Sequence, residues 1–164
     1  MRSRHKGFSL IELLIVVAII LIIAAIAIPN LLKSRMAANE ASAVGSLRTI
    51  TTSAITYSST HPDIGFPAAL ANLGPAPGDN LIDAQLAGGN KSGYLFTFAI
   101  TTTSPCPTCV GGVHNDTFSL CADPTSPDRT GNRNFFTDES GVIHFLTPAV
   151  AGPCGANATH PTIS

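Results

Sequence analysis

The sequence predicts an α+β fold in which one long N-terminal helix packs against a four-stranded antiparallel sheet. Three observations carry that reading. An apolar run extends from Phe8 to Ile28, with no polar side chain after Glu12. Beyond it, Met36, Ala43, Leu47, Ile50, Ala54 and Tyr57 fall on one stripe at helical spacing. The C-terminal part then changes period: Tyr94, Phe96, Phe98 and Ile100 alternate with their neighbours, as in a half-buried strand.

The chain has 164 residues, enough for one domain with a real core. Only 12% of residues are charged, about half the usual share, and glycine and proline are plentiful at 14 and 12. The formal net charge is −1. Removing Met1 to Gly7 takes away Arg2, Arg4 and Lys6 and leaves six bases against ten acids, a net of −4. The remaining body is mildly acidic, with no basic patch for nucleic acid.

Phe8 to Ile28 is 21 residues, about 31 Å as a helix, which matches the hydrocarbon core of a bilayer. The basic flank before it predicts a cytoplasmic N-terminus and an extracytoplasmic body. A cleaved secretory signal is one rival, since Ala25-Ile26-Ala27 fits the small-x-small pattern. That run is longer than a usual signal core, and Glu12 interrupts its start. A plain single-pass anchor explains the length but gives Glu12 no role. A carboxylate in lipid protonates or finds a cation.

Lys6-Gly7-Phe8-Ser9-Leu10-Ile11-Glu12, followed by the apolar run to Pro29, resembles the class III signal of type IV pilins and pseudopilins. The likeness covers residues 1 to about 60. It implies that a membrane-embedded prepilin peptidase cuts between Gly7 and Phe8 and methylates Phe8. Glu12 is then the fifth residue of the mature chain. The resemblance gives it a partner: the Phe8 amine of a neighbouring subunit, which would recruit and register subunits during assembly. Phe8 and Glu12 are four residues apart, so they share one helix face and intramolecular pairing is open as well.

The long helix is expected from about Phe8 to Ser58. Lys33, Arg35, Asn39, Glu40, Ser46 and Arg48 fall off its apolar stripe. Thr49 to Thr60 is rich in β-branched residues, so a strand there is the alternative. Pro62 disfavours helix at His61 and ends the element. Pro29 removes one backbone hydrogen bond and predicts a kink, at the membrane boundary or at a point that bends on filament packing.

Phe66 to Gly74 reads as a short helix and Asn80 to Leu86 as a helical turn stopped by Gly88-Gly89. Strands are expected at Tyr94 to Ile100, Thr117 to Ala122, Asn134 to Thr137 and Val142 to Leu146. Asp138-Glu139-Ser140-Gly141 makes the last hairpin turn. Lys91-Ser92-Gly93-Tyr94 and Phe136 to Ile143 are similar to segments of type IVa-like pilin heads. Some pseudopilins of type II secretion bind calcium in the head, but the acidic turn here supplies too few ligands by itself.

Cys106, Cys109 and Cys121 with His114 approach a zinc-knuckle spacing, but the last interval is two residues too long, and zinc would leave Cys154 over. A catalytic redox pair would sit at a helix N-terminus rather than in a Pro/Gly-rich loop. Structural disulfides are therefore expected, with three connectivities open and Cys106–Cys109 plus Cys121–Cys154 taken as the working pairing. Many pilins bracket their C-terminal region with a disulfide. Asn115-Asp116-Thr117 and Asn157-Ala158-Thr159 match the glycosylation sequon, a short and common pattern. No catalytic grouping is legible, and no metal or cofactor is expected.

The resulting division is a leader at 1–7, a membrane and filament-core segment at 8–28, an amphipathic half-helix at 29–60, a linker at 61–93 and a sheet head at 94–164. The expected function is that of a pilin polymerising with its own kind into a type IV pilus-like filament, with roles in adhesion, twitching motility or DNA uptake. The expected partners are other subunits, prepilin peptidase, the assembly machinery, the inner membrane before assembly, and a surface or DNA after it. The alternatives are a major pseudopilin of type II secretion and a membrane-anchored extracytoplasmic domain that never polymerises.

Overall fold

The computed structural model describes residues 9–147 and 149. Helix α1 spans Leu10–Thr60 without interruption, and the chain divides after Arg35 into two compact units. In the first unit every apolar side chain from Leu10 to Leu32 that is large enough to matter is exposed or nearly so, from Leu10 at 79% to Leu32 at 43%. An 18-residue window here is long and apolar enough to cross a membrane, and none of it is buried within the chain.

In the second unit α1 becomes a core helix. Ala43, Leu47, Ile50, Ala54 and Tyr57 are buried as the stripe predicts, while Met36 is only half-buried. Threonine and serine in the last turns do not break the helix. Thr52, Thr56, Ser59 and Thr60 each donate a hydroxyl hydrogen back to a carbonyl of the preceding turn at 2.9–3.3 Å. Their polar groups are thus satisfied without leaving the helix, which runs two residues past the expected end.

The linker differs in detail from the sequence expectation. Helix α2 is only Leu70–Leu73, because the chain before it stays extended, with Ala69 at φ −154°. Helix α3 is Ala84–Ala87 rather than a turn from Asn80. Asn80 sits at φ 56°, in the left-handed region, and cannot begin a right-handed helix. Asp83 starts α3 instead, its carboxylate accepting the Leu86 N–H at 2.8 Å.

The sheet has five antiparallel strands, not four, in sequential order: β1 (Asn90–Lys91), β2 (Tyr94–Pro105), β3 (Val113–Pro124), β4 (Asn134–Asp138) and β5 (His144–Leu146). The extra strand is a two-residue edge, too short to leave an alternation in the sequence. Strands β2 and β3 are longer than expected, pairing from Tyr94↔Pro124 to Pro105↔Val113 with a register shift around Thr102. One sheet face carries Tyr94, Phe96, Phe118, Leu120 and Ala122, all buried and all in one cluster with the α1 stripe. Phe98 and Phe118 stack at 4.9 Å, and Phe66 meets Phe118 edge-on at 4.8 Å.

Polar residues of α1 that fall off the stripe also face the head. Asn39 donates its side-chain amide to the Thr130 carbonyl at 2.9 Å, and Glu40 accepts the Asn132 N–H at 2.8 Å. Ser46 is buried as well. Their placement off the apolar stripe is thus no sign of a solvated face: the loop between β3 and β4 brings backbone groups that need partners.

Candidate functional site

The N-terminal end of α1 is the segment with the clearest capacity for assembly. Ser9 precedes the first helical residue and Glu12 is the third residue of the helix. The Ser9 N–H donates to Glu12 Oε2 at 3.0 Å. This is one half of a capping box, in which the third residue reaches back to the cap and satisfies an orphan donor. The spacing Ser9-Leu10-Ile11-Glu12 is a capping-box signature, a signal that the sequence reading missed. The negative carboxylate also lies at the positive end of the helix macrodipole.

Gly7 and Phe8, the expected cleavage pair, lie outside the described residues. Among the described residues, the surroundings of Glu12 are apolar: Leu10, Ile11, Leu13, Leu14 and Ile15 are all more than half exposed. Such a surface is stable in a lipid or against other apolar helices, not in water. Pro29 lies inside α1. It offers no N–H to the Ala25 carbonyl one turn back, so one rung of the helical ladder is missing there. Ser34 returns its hydroxyl hydrogen to the Asn30 carbonyl at 3.0 Å in the following turn.

In the head, Cys106 and Cys109 are joined as a disulfide, with Cα atoms 5.2 Å apart. It lies at the tip of the β2–β3 hairpin. Cys121 lies buried in β3 and is disulfide-bonded too. Cys154, the partner taken for it, lies outside the described residues. His114 Nδ1 stands 2.8 Å from Asp116 Oδ1, which also accepts the Ser104 hydroxyl at 3.1 Å. The Asn115 amide donates inward to the Phe66 carbonyl at 2.7 Å, so the first sequon is tied into the fold. The second, at Asn157, lies outside the described residues.

The acidic turn after β4 carries hydrogen bonds of its own. The Asp138 carboxylate accepts the Ser140 N–H at 2.9 Å, and Gly141 takes φ 73°. Strands β4 and β5 pair across it from Asn134↔Leu146 to Phe136↔His144, as the hairpin reading expects, but β5 begins at His144 rather than at Val142.

The described residues thus hold an exposed apolar helical segment with a capped glutamate and, as a separate unit, a sheet head. The prokaryotic N-terminal methylation motif matches residues 2–28. The type IV major pilin protein PilA of Myxococcus xanthus is 33% identical over 98% of this chain and 68% of its own length. The type IV major fimbrial protein FimA of Dichelobacter nodosus is 35% identical over 63% of this chain and 69% of its own. The type IV wide pilus major component PilA4 of Thermus thermophilus is 69% identical over 21% of this chain, and the match spans only 27% of that protein. The chain belongs to the type IV pilins, structural subunits of a pilus filament rather than enzymes.

Proposed function

We propose that the chain is a prepilin, cut between Gly7 and Phe8 by prepilin peptidase, methylated on Phe8, and polymerised through the apolar half of α1. One observation supports this most: the membrane-length window of α1 buries nothing within its own chain, while the same helix from Ala43 onward is embedded in a complete core. The exposed half requires an apolar surrounding. The inner membrane provides it before assembly, with the body on the periplasmic side, and neighbouring subunits provide it afterwards.

On this reading residues 1–7 are the leader, 8–28 the membrane and filament-core segment and 29–60 the half-helix that carries the head. The linker at 61–93 and the sheet region at 94–164 form the outer part. Phe8 and Glu12 set the register between subunits, and Pro29 is where α1 yields on packing. The filament serves adhesion, twitching motility or DNA uptake through contacts made by the head.

The test is to shear the cells and determine the N-terminus of the fibre protein by mass spectrometry. A chain starting at methylated Phe8 in long surface fibres supports the proposal. An uncut chain confined to the membrane overturns it.

A further inference from the structure

The bond between Cys106 and Cys109 does little for the fold. Strands β2 and β3 are paired up to Pro105↔Val113, so the hairpin is closed before the cysteines are reached. The loop beyond is closed again by backbone hydrogen bonds, Cys106 N–H to the Gly112 carbonyl, Cys109 N–H to the Cys106 carbonyl and Gly112 N–H to the Cys109 carbonyl, each 3.0 Å. A disulfide spanning a sequence separation of three removes little freedom from the unfolded chain, since the constraint grows with loop length. Neither sulfur belongs to the hydrophobic core.

Cys106 and Cys109 are themselves half-buried, so the bond is partly open to attack by a small thiol. Pro107 and Thr108 are exposed, and a side chain added at Gly111 or Gly112 would meet nothing within 4 Å. Cys121, by contrast, is 3% exposed in β3. Exposed disulfides are the labile ones, and buried ones resist exchange. The Cys109 N–H bond to the Cys106 carbonyl places the two cysteines in one tight turn, which favours re-formation by the reverse exchange.

We propose that Cys106–Cys109 is a thiol–disulfide exchange site at the hairpin tip, reduced by a dithiol and re-formed by the oxidised, disulfide form of that dithiol while the head stays folded. A thiolate of the dithiol attacks one of the two sulfurs. The Cys106–Cys109 bond breaks, a mixed disulfide forms, and the other cysteine leaves as a thiolate. The second thiolate of the dithiol then attacks the mixed disulfide, so the dithiol becomes a disulfide and the second cysteine is released. Two electrons pass to the protein, and its two thiolates take up two protons. The inference does not depend on cleavage at Gly7 or on filament assembly.

The full chain in detergent, treated with graded dithiothreitol under native conditions, then alkylated and mapped by mass spectrometry, tests it. Cys106 and Cys109 should be alkylated together at a dithiol concentration about tenfold or more below that which exposes Cys121, with the circular dichroism of the sheet unchanged. Replacing the dithiol by its oxidised, disulfide form should restore the bond by the reverse exchange, the two electrons returning to the reagent. Co-reduction with Cys121, or loss of the sheet signal as Cys106–Cys109 opens, overturns the proposal. A Cys106→Ser/Cys109→Ser double variant provides the second reading. It should unfold at nearly the same temperature as the parent, and a collapse of its stability would show that the bond is structural.

Discussion

Tyr94 in β2 lies against Gly131 so closely that no side chain fits between them, and its hydroxyl donates to the Arg133 carbonyl at 3.0 Å. The contact joins the first long strand to the loop that also takes Asn39 and Glu40 from α1. Gly131→Ala should therefore destabilise the head by about 1–3 kcal/mol through overpacking against the buried ring. Tyr94→Phe, which keeps the ring and removes only the donor, should cost less, about 1 kcal/mol. Chemical denaturation of the two variants checks the order; a costlier Tyr94→Phe would mean that the hydroxyl rather than the ring fixes this contact.

Alkaline pH should act through the same ring. Burial raises the Tyr94 pKa above the ordinary tyrosine value, and the Glu40 carboxylate adds to it. Tyr57 is raised as well, chiefly by burial and then by Asp79. These are the only two tyrosines. The folded chain holds both protons more tightly than the unfolded chain. That stability is fully present below about pH 10 and is lost as the pH rises from there toward the folded values. Phenolate absorbance should stay low at pH 10 and then rise together with unfolding. A rise near pH 10 with the fold intact would contradict the burial of both rings.

At the acid end the group to watch is Asp83. Its pKa is lowered first by the Lys91 ammonium, 2.9 Å away, and then by the Leu86 N–H. A lowered value means that its stabilisation is present above the unfolded pKa near 3.8 and fades as the pH falls through the folded one. Asp83→Ala removes the cap of α3 and should cost about 1 kcal/mol at neutral pH. Asp83→Asn retains a capping oxygen and should cost less. Equal losses in the two variants would place the effect in the charge pair instead.

Glu12 has two candidate duties, and one substitution separates them. Glu12→Gln keeps an oxygen for the Ser9 N–H and so should leave the start of α1 intact, while the charge available to a neighbouring amine is gone. Glu12→Ala loses both, at a helical cost of about 0.5–1 kcal/mol in the first turn. If assembly rests on the charge, both variants fail to form filaments although only the alanine variant shows faster amide exchange at Ser9. Filaments from Glu12→Gln at parental yield would assign the residue to capping alone.

The parts legible in the sequence are those in which one period is sustained. The α1 stripe from Ala43 to Tyr57 and the Tyr94–Ile100 face are buried or partly buried as their spacing predicts, and Gly141 turns the last hairpin. What was not legible depends on partners distant in sequence. Nothing local marks Asn39 and Glu40 as residues that meet a loop some ninety positions later. The two-residue strand at Asn90 exists only because β2 provides a ladder. Asn80 looked helical by composition but is held at positive φ, its N–H donating to the Gly74 carbonyl at 2.8 Å. The Ser9-x-x-Glu12 spacing carries the cap signal, overlaid in the sequence by the placement of a carboxylate within a membrane-length apolar run.

Two glycines should respond to alanine with opposite signs. Gly45 lies within α1, and a Cβ built there meets nothing within 4 Å. Glycine in a helix interior is unfavourable by about 0.5–1 kcal/mol relative to alanine, so Gly45→Ala should stabilise the isolated chain by that amount and raise its melting temperature by a few degrees. Gly65 is at φ 79°, where a Cβ would run into the Asn115 carbonyl oxygen and the His114 ring. Its neighbours hold that carbonyl in place: Phe66 N–H donates to it at 3.0 Å, and Asn115 N–H donates to the Ile64 carbonyl at 2.8 Å. Gly65→Ala therefore combines backbone strain of about 1 kcal/mol or more with the loss of this bridge and should destabilise the head by at least about 2 kcal/mol. Thermal melts of the two variants in the same detergent decide the matter. A Gly45→Ala chain less stable than the parent would mean that the exposed face of α1 packs against something within the chain. A neutral Gly65→Ala would mean that the bridge between linker and sheet yields readily.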